Sequence, residues 1–181
     1  MDNSSATPPS DGFLREGIWY EVDAVDENCD YSSQRHFNAR TLCEIEHYSL
    51  GVGAILLAAI AAATLLYPPV FSIWLSAVSA IGSAIMTGTS TLLKPTERFI
   101  SHADAGEAYL ALRNDARAFK RLSFRDPREN VASLRSQAQS LTRRMNDLNA
   151  TYSKFPTSPS AYMKAKKDIH KGHTKNRADI R

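Results

Sequence analysis

From residue 48 to residue 93 the chain contains no aspartate, glutamate, lysine, arginine or histidine, a gap of 46 residues in a sequence of 181 that is 23% charged overall. A soluble surface helix of that length would carry charge on its outer face. The gap points instead to the hydrocarbon core of a bilayer, where a spanning helix needs about 20 predominantly apolar residues and a central charge costs roughly 2.5 to 3.5 kcal/mol. Two such spans fit in the gap and three do not. Cysteine is also scarce: Cys29 and Cys43 are the only two, and both are expected as reduced thiols if the N-terminus is cytosolic. A basic start leading into an early apolar stretch is missing, since the chain opens Met1-Asp2-Asn3 and stays acidic. The first apolar segment is therefore expected to act as an uncleaved anchor.

The constellations of catalysis are absent as well. His170 and His173 sit in a lysine-rich tail with no cysteine or acidic companions placed to share a metal. Gly88 and Lys94 do not reproduce the G-x-x-x-x-G-K-[ST] spacing of a phosphate loop, and Gly88 falls inside a span. No Ser, His and Asp set can be assembled. The expectation is a protein that is not an enzyme, with no metal and no cofactor; a membrane enzyme is the least favoured reading.

What is present is a division of charge. Residues 1–47 hold 3 basic and 10 acidic residues, net −7, whereas residues 94–181 hold 19 basic and 9 acidic, net +10. The overall net charge of +3 is a cancellation, and a mean hydropathy of −0.32 hides the apolar gap in the same way.

These patterns predict an all-α integral membrane protein: a two-helix transmembrane hairpin with a cytosolic antiparallel helical pair. Residues 1–33 are acidic and poor in apolar clusters apart from a patch at 13–20, and are expected to be mostly disordered. A juxtamembrane helix over 34–47, capped by Ser32-Ser33, runs into a first span over 48–66. Tyr67-Pro68-Pro69 stops it, and a second span covers 70–93. So short a connection forces antiparallel spans and puts both termini on one side. Arg35, Arg40, Lys94 and Arg98 flank the spans and the turn has no charge, so the positive-inside rule places both termini in the cytosol, with the protein in the cell membrane.

Beyond the membrane, Pro95 opens a helix expected over 95–122, with Glu97 in its first turn. A second is expected over 128–150, where Val131, Leu134, Ala138, Leu141, Met145 and Leu148 form a heptad seam. That seam needs a partner, either the preceding helix folded back or a second chain in an intermolecular coiled coil. A closing segment, 151–172, contains Pro156, Pro159 and a short helix over 161–169. The basic tail, 173–181, is matched to an anionic lipid surface or to plain solvation. Nucleic acid is disfavoured because no aromatic residues interleave with the charges.

Two patterns inside the spans are site-like. Ser72, Ser76, Ser79, Ser83, Thr87 and Ser90 fall within an arc of about 80° on the second span. They could line a narrow aqueous path in an oligomer or return hydrogen bonds to a neighbouring helix in plain packing. On the first span Gly51, Ala54, Ala58 and Ala62 form a small-residue ladder that permits close helix approach, within the hairpin or between chains.

The order of these features resembles the SLATT family. The similarity spans residues 34–172 and rests on the juxtamembrane helix, the Pro-interrupted hairpin, Pro95, Arg98, His102, Ala103, Ala105, Tyr109 and Leu112, and the later Pro156, Pro159, Ala161-Tyr162, Lys164, Lys167 and Gly172. The resemblance implies a two-span membrane effector that oligomerises to form a pore or perturb the membrane, in a defence or cell-suicide system signalled by nucleotide second messengers. It carries over no catalytic residues. With no nucleotide-sensing domain in this chain, the signal would have to arrive through a partner protein. The alternative from another class is a harmless membrane anchor or scaffold that recruits a cytosolic partner through its helical pair.

Overall fold

The computed structural model describes residues 11–64 and 70–170, with side chains over 11–64 and 73–169. The predicted Tyr67-Pro68-Pro69 turn, the Ser72 side chain, Gly172 and the 173–181 tail lie outside these. Five helices make up the described chain and none of it is strand: α1 (Asp11–Thr64), α2 (Val70–Leu93), α3 (Pro95–Arg121), α4 (Val131–Tyr152) and α5 (Pro159–His170). They form two compact units, one of Phe37–Ala103 and one of Met1–His36 with Asp104–Arg181.

Within the first unit, the later part of α1 and α2 form an antiparallel hairpin: Ala61 meets Ser76, Leu57 meets Gly82, and Ala54 meets Ser83. Both helices are long and apolar enough to cross a membrane, and their apolar windows are only 0% and 6% buried. At the far end α2 stops at Lys94, which adopts a left-handed conformation (φ 46°). The cause is local, because Pro95 disfavours the helical conformation in the residue before it. Pro95 then starts α3 at the first-turn position where a missing N–H costs nothing.

The second unit is a three-helix bundle. Its core joins Ile18, Val22, Val25 and Cys29 of α1, Tyr109, Leu112, Ala116 and Phe119 of α3, and Leu134, Ala138 and Leu141 of α4. Pairings of Asp30 with Arg113 and Asp26 with Arg117 make α1 antiparallel to α3. Tyr109 with Asn149 and Asp115 with Arg144 make α3 antiparallel to α4. Helices α1 and α4 consequently run parallel, with Arg15 bonded to the Glu129 carbonyl at one end and Arg35 to Thr157 at the other. Asn130 caps α4 by accepting from the Ser133 N–H at 2.7 Å, which sets its start at Val131 rather than at the predicted residue 128.

Two expectations are corrected here. The segment expected to be disordered is helical from Asp11, and α1 is continuous through the predicted boundaries at 34 and 48. Its composition misleads because carboxylates such as Asp26 and Asp30 pair within the bundle, while Ile18, Val22, Val25 and Cys29 recur at helical spacing and bury. The helical pair is likewise a triple: the seam of α4 packs against α3 as expected and against α1 as well.

Candidate functional sites in the hairpin and the bundle

In the hairpin, the hydroxyl stripe of α2 turns toward α1. Ser76 Oγ donates to the Ala61 carbonyl at 3.2 Å and Ser83 Oγ to the Ala54 carbonyl at 2.9 Å. Ser79, between them, is 4% exposed. Thr87 is exposed and donates to the Ser83 carbonyl of its own helix at 2.9 Å, and Ser90 is half-buried. The middle of the stripe is thus a packing seam in this hairpin.

The facing surface of α1 is not the ladder read from the sequence. Ala54 lies on it, but Gly51, Ala58 and Ala62 are exposed. The close approach comes at Gly53, where an added Cβ would fall 2.5 Å from Met86 Cε, and at Gly82, where it would fall 3.0 Å from Leu57 Cδ1. Each helix therefore offers a glycine to a large side chain of the other. Sequence reasoning missed this reciprocity because it appears only once the antiparallel register is known.

The juxtamembrane residues separate by unit. Pro95 is buried, and Arg98 pairs with Glu46 at 3.6 Å. His102 is 2% exposed, and burial, followed by the charge of Arg98, holds its pKa below 6.5. Arg40 lies over the Phe99 ring at 4.7 Å. Cys43 is buried, and burial raises its thiol pKa.

Tyr109 belongs to the bundle, where its hydroxyl donates to Asn149 Oδ1 at 2.8 Å and its ring stacks on His36 at 5.7 Å. Burial pushes its hydroxyl pKa up, with Cys29 and Tyr152 adding to the effect. Arg35, predicted as a flanking charge, pins the closing segment: Nε and Nη2 donate to Thr157 Oγ1 at 3.0 and 2.6 Å, and the guanidinium lies 5.4 Å from the Tyr162 ring centre. Ala161 and Ala165 bury α5 against the same unit.

A ladder of ion pairs, buried except at Asp23 and unseen in the sequence, locks α1 to α3. Asp26 meets Lys120 Nζ at 2.6 Å, Arg117 Nε at 3.1 Å and Arg113 Nε at 3.6 Å. Asp30 holds Arg113 at 3.1 Å and Asp23 holds Lys120 at 2.8 Å. The two carboxylates raise the Lys120 pKa, outweighing the desolvation that would lower it. Acidic spacing of 3 and 4 on α1 against basic spacing of 4 and 3 on α3 was the available signal.

Between the parallel helices α1 and α4 an open groove of about 880 Å³ remains. Leu14, Gly17 and Ile18 form one wall and Val131, Ala132 and Ala138 the other, with Arg135 and Arg143 on the α4 rim and Glu21 on the α1 rim. The floor is apolar and the α4 rim is cationic, which suits an incoming amphipathic helix bearing carboxylates. Comparison of the chain with protein-family models, with curated proteins and with solved structures finds no match in any of the three.

Proposed function

We propose that this chain is a two-span membrane effector whose hairpins oligomerise, through their cytosolic helices, to open a conducting path or perturb the bilayer. The observation that carries the membrane reading is the exposure of the apolar helices. Side chains such as Ile55, Leu56, Trp74, Val78, Ile81 and Ile85 lie 58% to 73% exposed. A soluble monomer rarely leaves so large a contiguous apolar surface open to water, and a bilayer covers it at no cost. The reading that both termini are cytosolic is supported by Lys94 and Arg98 after α2, by Arg35 and Arg40 before the first span, and by the absence of charge in the turn.

The effector reading rests on the SLATT-like order of features, with the trigger delivered by a second-messenger-dependent partner protein. The groove on the bundle favours a second reading, a non-toxic anchor that recruits a cytosolic partner. Induced expression in a bacterium loaded with a membrane-potential dye tests the first, with a chain whose 70–93 segment is scrambled as control. Rapid depolarisation limited to the intact span supports the effector. An undisturbed potential with insertion confirmed, persisting on co-expression with candidate partners, defeats it in favour of the anchor.

A further inference from the structure

The surface beside the groove has the properties that the groove calls for. On α1, Phe13 and Tyr20 are 68% and 64% exposed, and at 100° per residue they fall with Ala24 within an arc of about 40°. That stripe lies about a third of a turn round the helix from Leu14 and Ile18, which line the groove, and Gly17 stands between the two surfaces. Nothing lies within 4 Å of a Cβ placed on Gly17, so a second helix backbone could approach there. Glu16 and Glu27 are exposed along the edge of the stripe, and the groove's α4 rim carries Arg135 and Arg143.

We propose that the α1–α4 groove receives helix α1 of a second copy of this chain. The contact is two-fold: each copy inserts its Tyr20 and Phe13 stripe into the other's groove, the two α1 helices crossing near Gly17, with Glu16 and Glu27 of one copy facing Arg135 and Arg143 of the other. A two-fold contact uses the same patch twice, so a groove and its complementary stripe must lie side by side on one surface, as they do here. The charge arrangement selects the occupant, because an acidic amphipathic helix meets a cationic rim, and α1 is such a helix. The inference rests on the oligomerising reading above and names its surface.

Full-length chains bearing two different affinity tags are co-expressed, solubilised in detergent and tested for co-capture. Wild-type chains capture each other. Arg135→Glu with Arg143→Glu places acid against acid, and Glu16→Arg with Glu27→Arg places base against base, so each double variant loses self-capture by about tenfold or more. Co-expressing one double variant with the other restores opposite charges at both halves of the contact and returns capture to near the wild-type level. The sites are exposed and outside the α1–α3 ion pairs, and continued protection of Cys29 from alkylation confirms a closed bundle.

A wild-type chain that does not capture itself, variants that capture themselves undiminished, or a mixed pair that fails to recover would each overturn the proposal. Gly17→Leu gives an independent check: its Cβ has nothing within 4 Å in its own chain while the side chain obstructs the crossing, so unchanged capture overturns the proposal too. The dye assay separates the two ideas. Depolarisation that survives loss of capture leaves the effector standing without this surface, and intact charge-swap rescue without depolarisation leaves the surface standing without the effector.

Discussion

Replacing Asp26 by asparagine should open the bundle at α1 without unfolding the rest of the chain. Asp26 is the shared anion of the α1–α3 ladder, touching Lys120, Arg117 and Arg113. Removing one partner of a buried ion pair typically costs about 3 to 5 kcal/mol, because the remaining charge is left uncompensated. Here Lys120 keeps Asp23 and Arg113 keeps Asp30, so the expected cost is reduced to about 2 to 3 kcal/mol. At 1.4 kcal/mol per decade, the population of chains with α1 detached rises about 30- to 150-fold. Cys29 reports that opening, since it is fully buried and its pKa is raised to about 11, chiefly by burial. In a Cys43→Ala background its alkylation at neutral pH should follow the open fraction. Glu107→Gln removes a carboxylate from an exposed position on α3 and should leave the rate unchanged. If Asp26→Asn accelerates alkylation no more than Glu107→Gln does, the ion ladder does not hold the bundle closed.

Truncating Leu134, fully buried in α4, to alanine should destabilise the bundle by about 2 to 5 kcal/mol in chemical denaturation, whereas Ala132→Gly on the exposed side should cost about 1 kcal/mol from helix propensity alone. Because burial and Arg98 lower the His102 pKa, the unfolded chain takes up a proton below about pH 6.5 that the folded chain resists. Stability is then full above that value and falls as pH drops through the folded pKa; thermal unfolding between about pH 7.5 and 5 should show this slope, and His102→Gln should remove it. In the hairpin, Gly53→Leu should disrupt the α1–α2 contact by collision with Met86, and Met86→Ala should restore it, as read by cross-linking between engineered cysteines at the ends of the two helices. Thr87→Val, an isosteric change at an exposed hydroxyl bonded only within its own helix, should leave hairpin packing intact; a drop in depolarisation would mark that hydroxyl as part of a water path, and no drop would remove it from one.

The hairpin was legible because the signal is one-dimensional: 46 residues without charge and a Tyr-Pro-Pro interruption require no knowledge of what packs where. The seam of α4 was legible for a related reason, since a repeat of 3 and 4 is visible without its partner. What escaped was the role of the N-terminal residues. Val22, Val25 and Cys29 are small, separated by acidic residues, and resemble a solvated segment until Arg113, Arg117 and Lys120 are brought opposite Asp23, Asp26 and Asp30 from about 90 positions away along the chain. Long-range charge matching leaves no local trace in composition. The same limit explains the ladder on the first span: Gly51, Ala58 and Ala62 share a helix face by spacing, but which face meets α2 depends on register, and the register chose Gly53, Leu57 and Ala61.

The orientation of the hydroxyl stripe constrains any conducting state. Ser76 and Ser83 spend their donors on carbonyls of α1, and Ser79 is closed between them, so a path lined by the middle of the stripe would require the hairpin to part. Hydrogen bonds between membrane helices contribute only about 0.6 kcal/mol each on average, so parting two of them is cheap beside the contact area that an oligomer gains. The larger cost lies in the reciprocal glycine contacts, where Met86 fills the space over Gly53 and Leu57 the space over Gly82. A closed hairpin is therefore held by shape more than by its hydroxyls. Oligomerisation can expose the stripe only by giving those two large side chains equivalent small-residue surfaces elsewhere, and the exposed Gly51, Ala58 and Ala62 face of α1 is such a surface. An assembly that turned the stripe outward would need such a face for its helices to repack on, whereas in the single hairpin only Ala54 of the ladder meets α2.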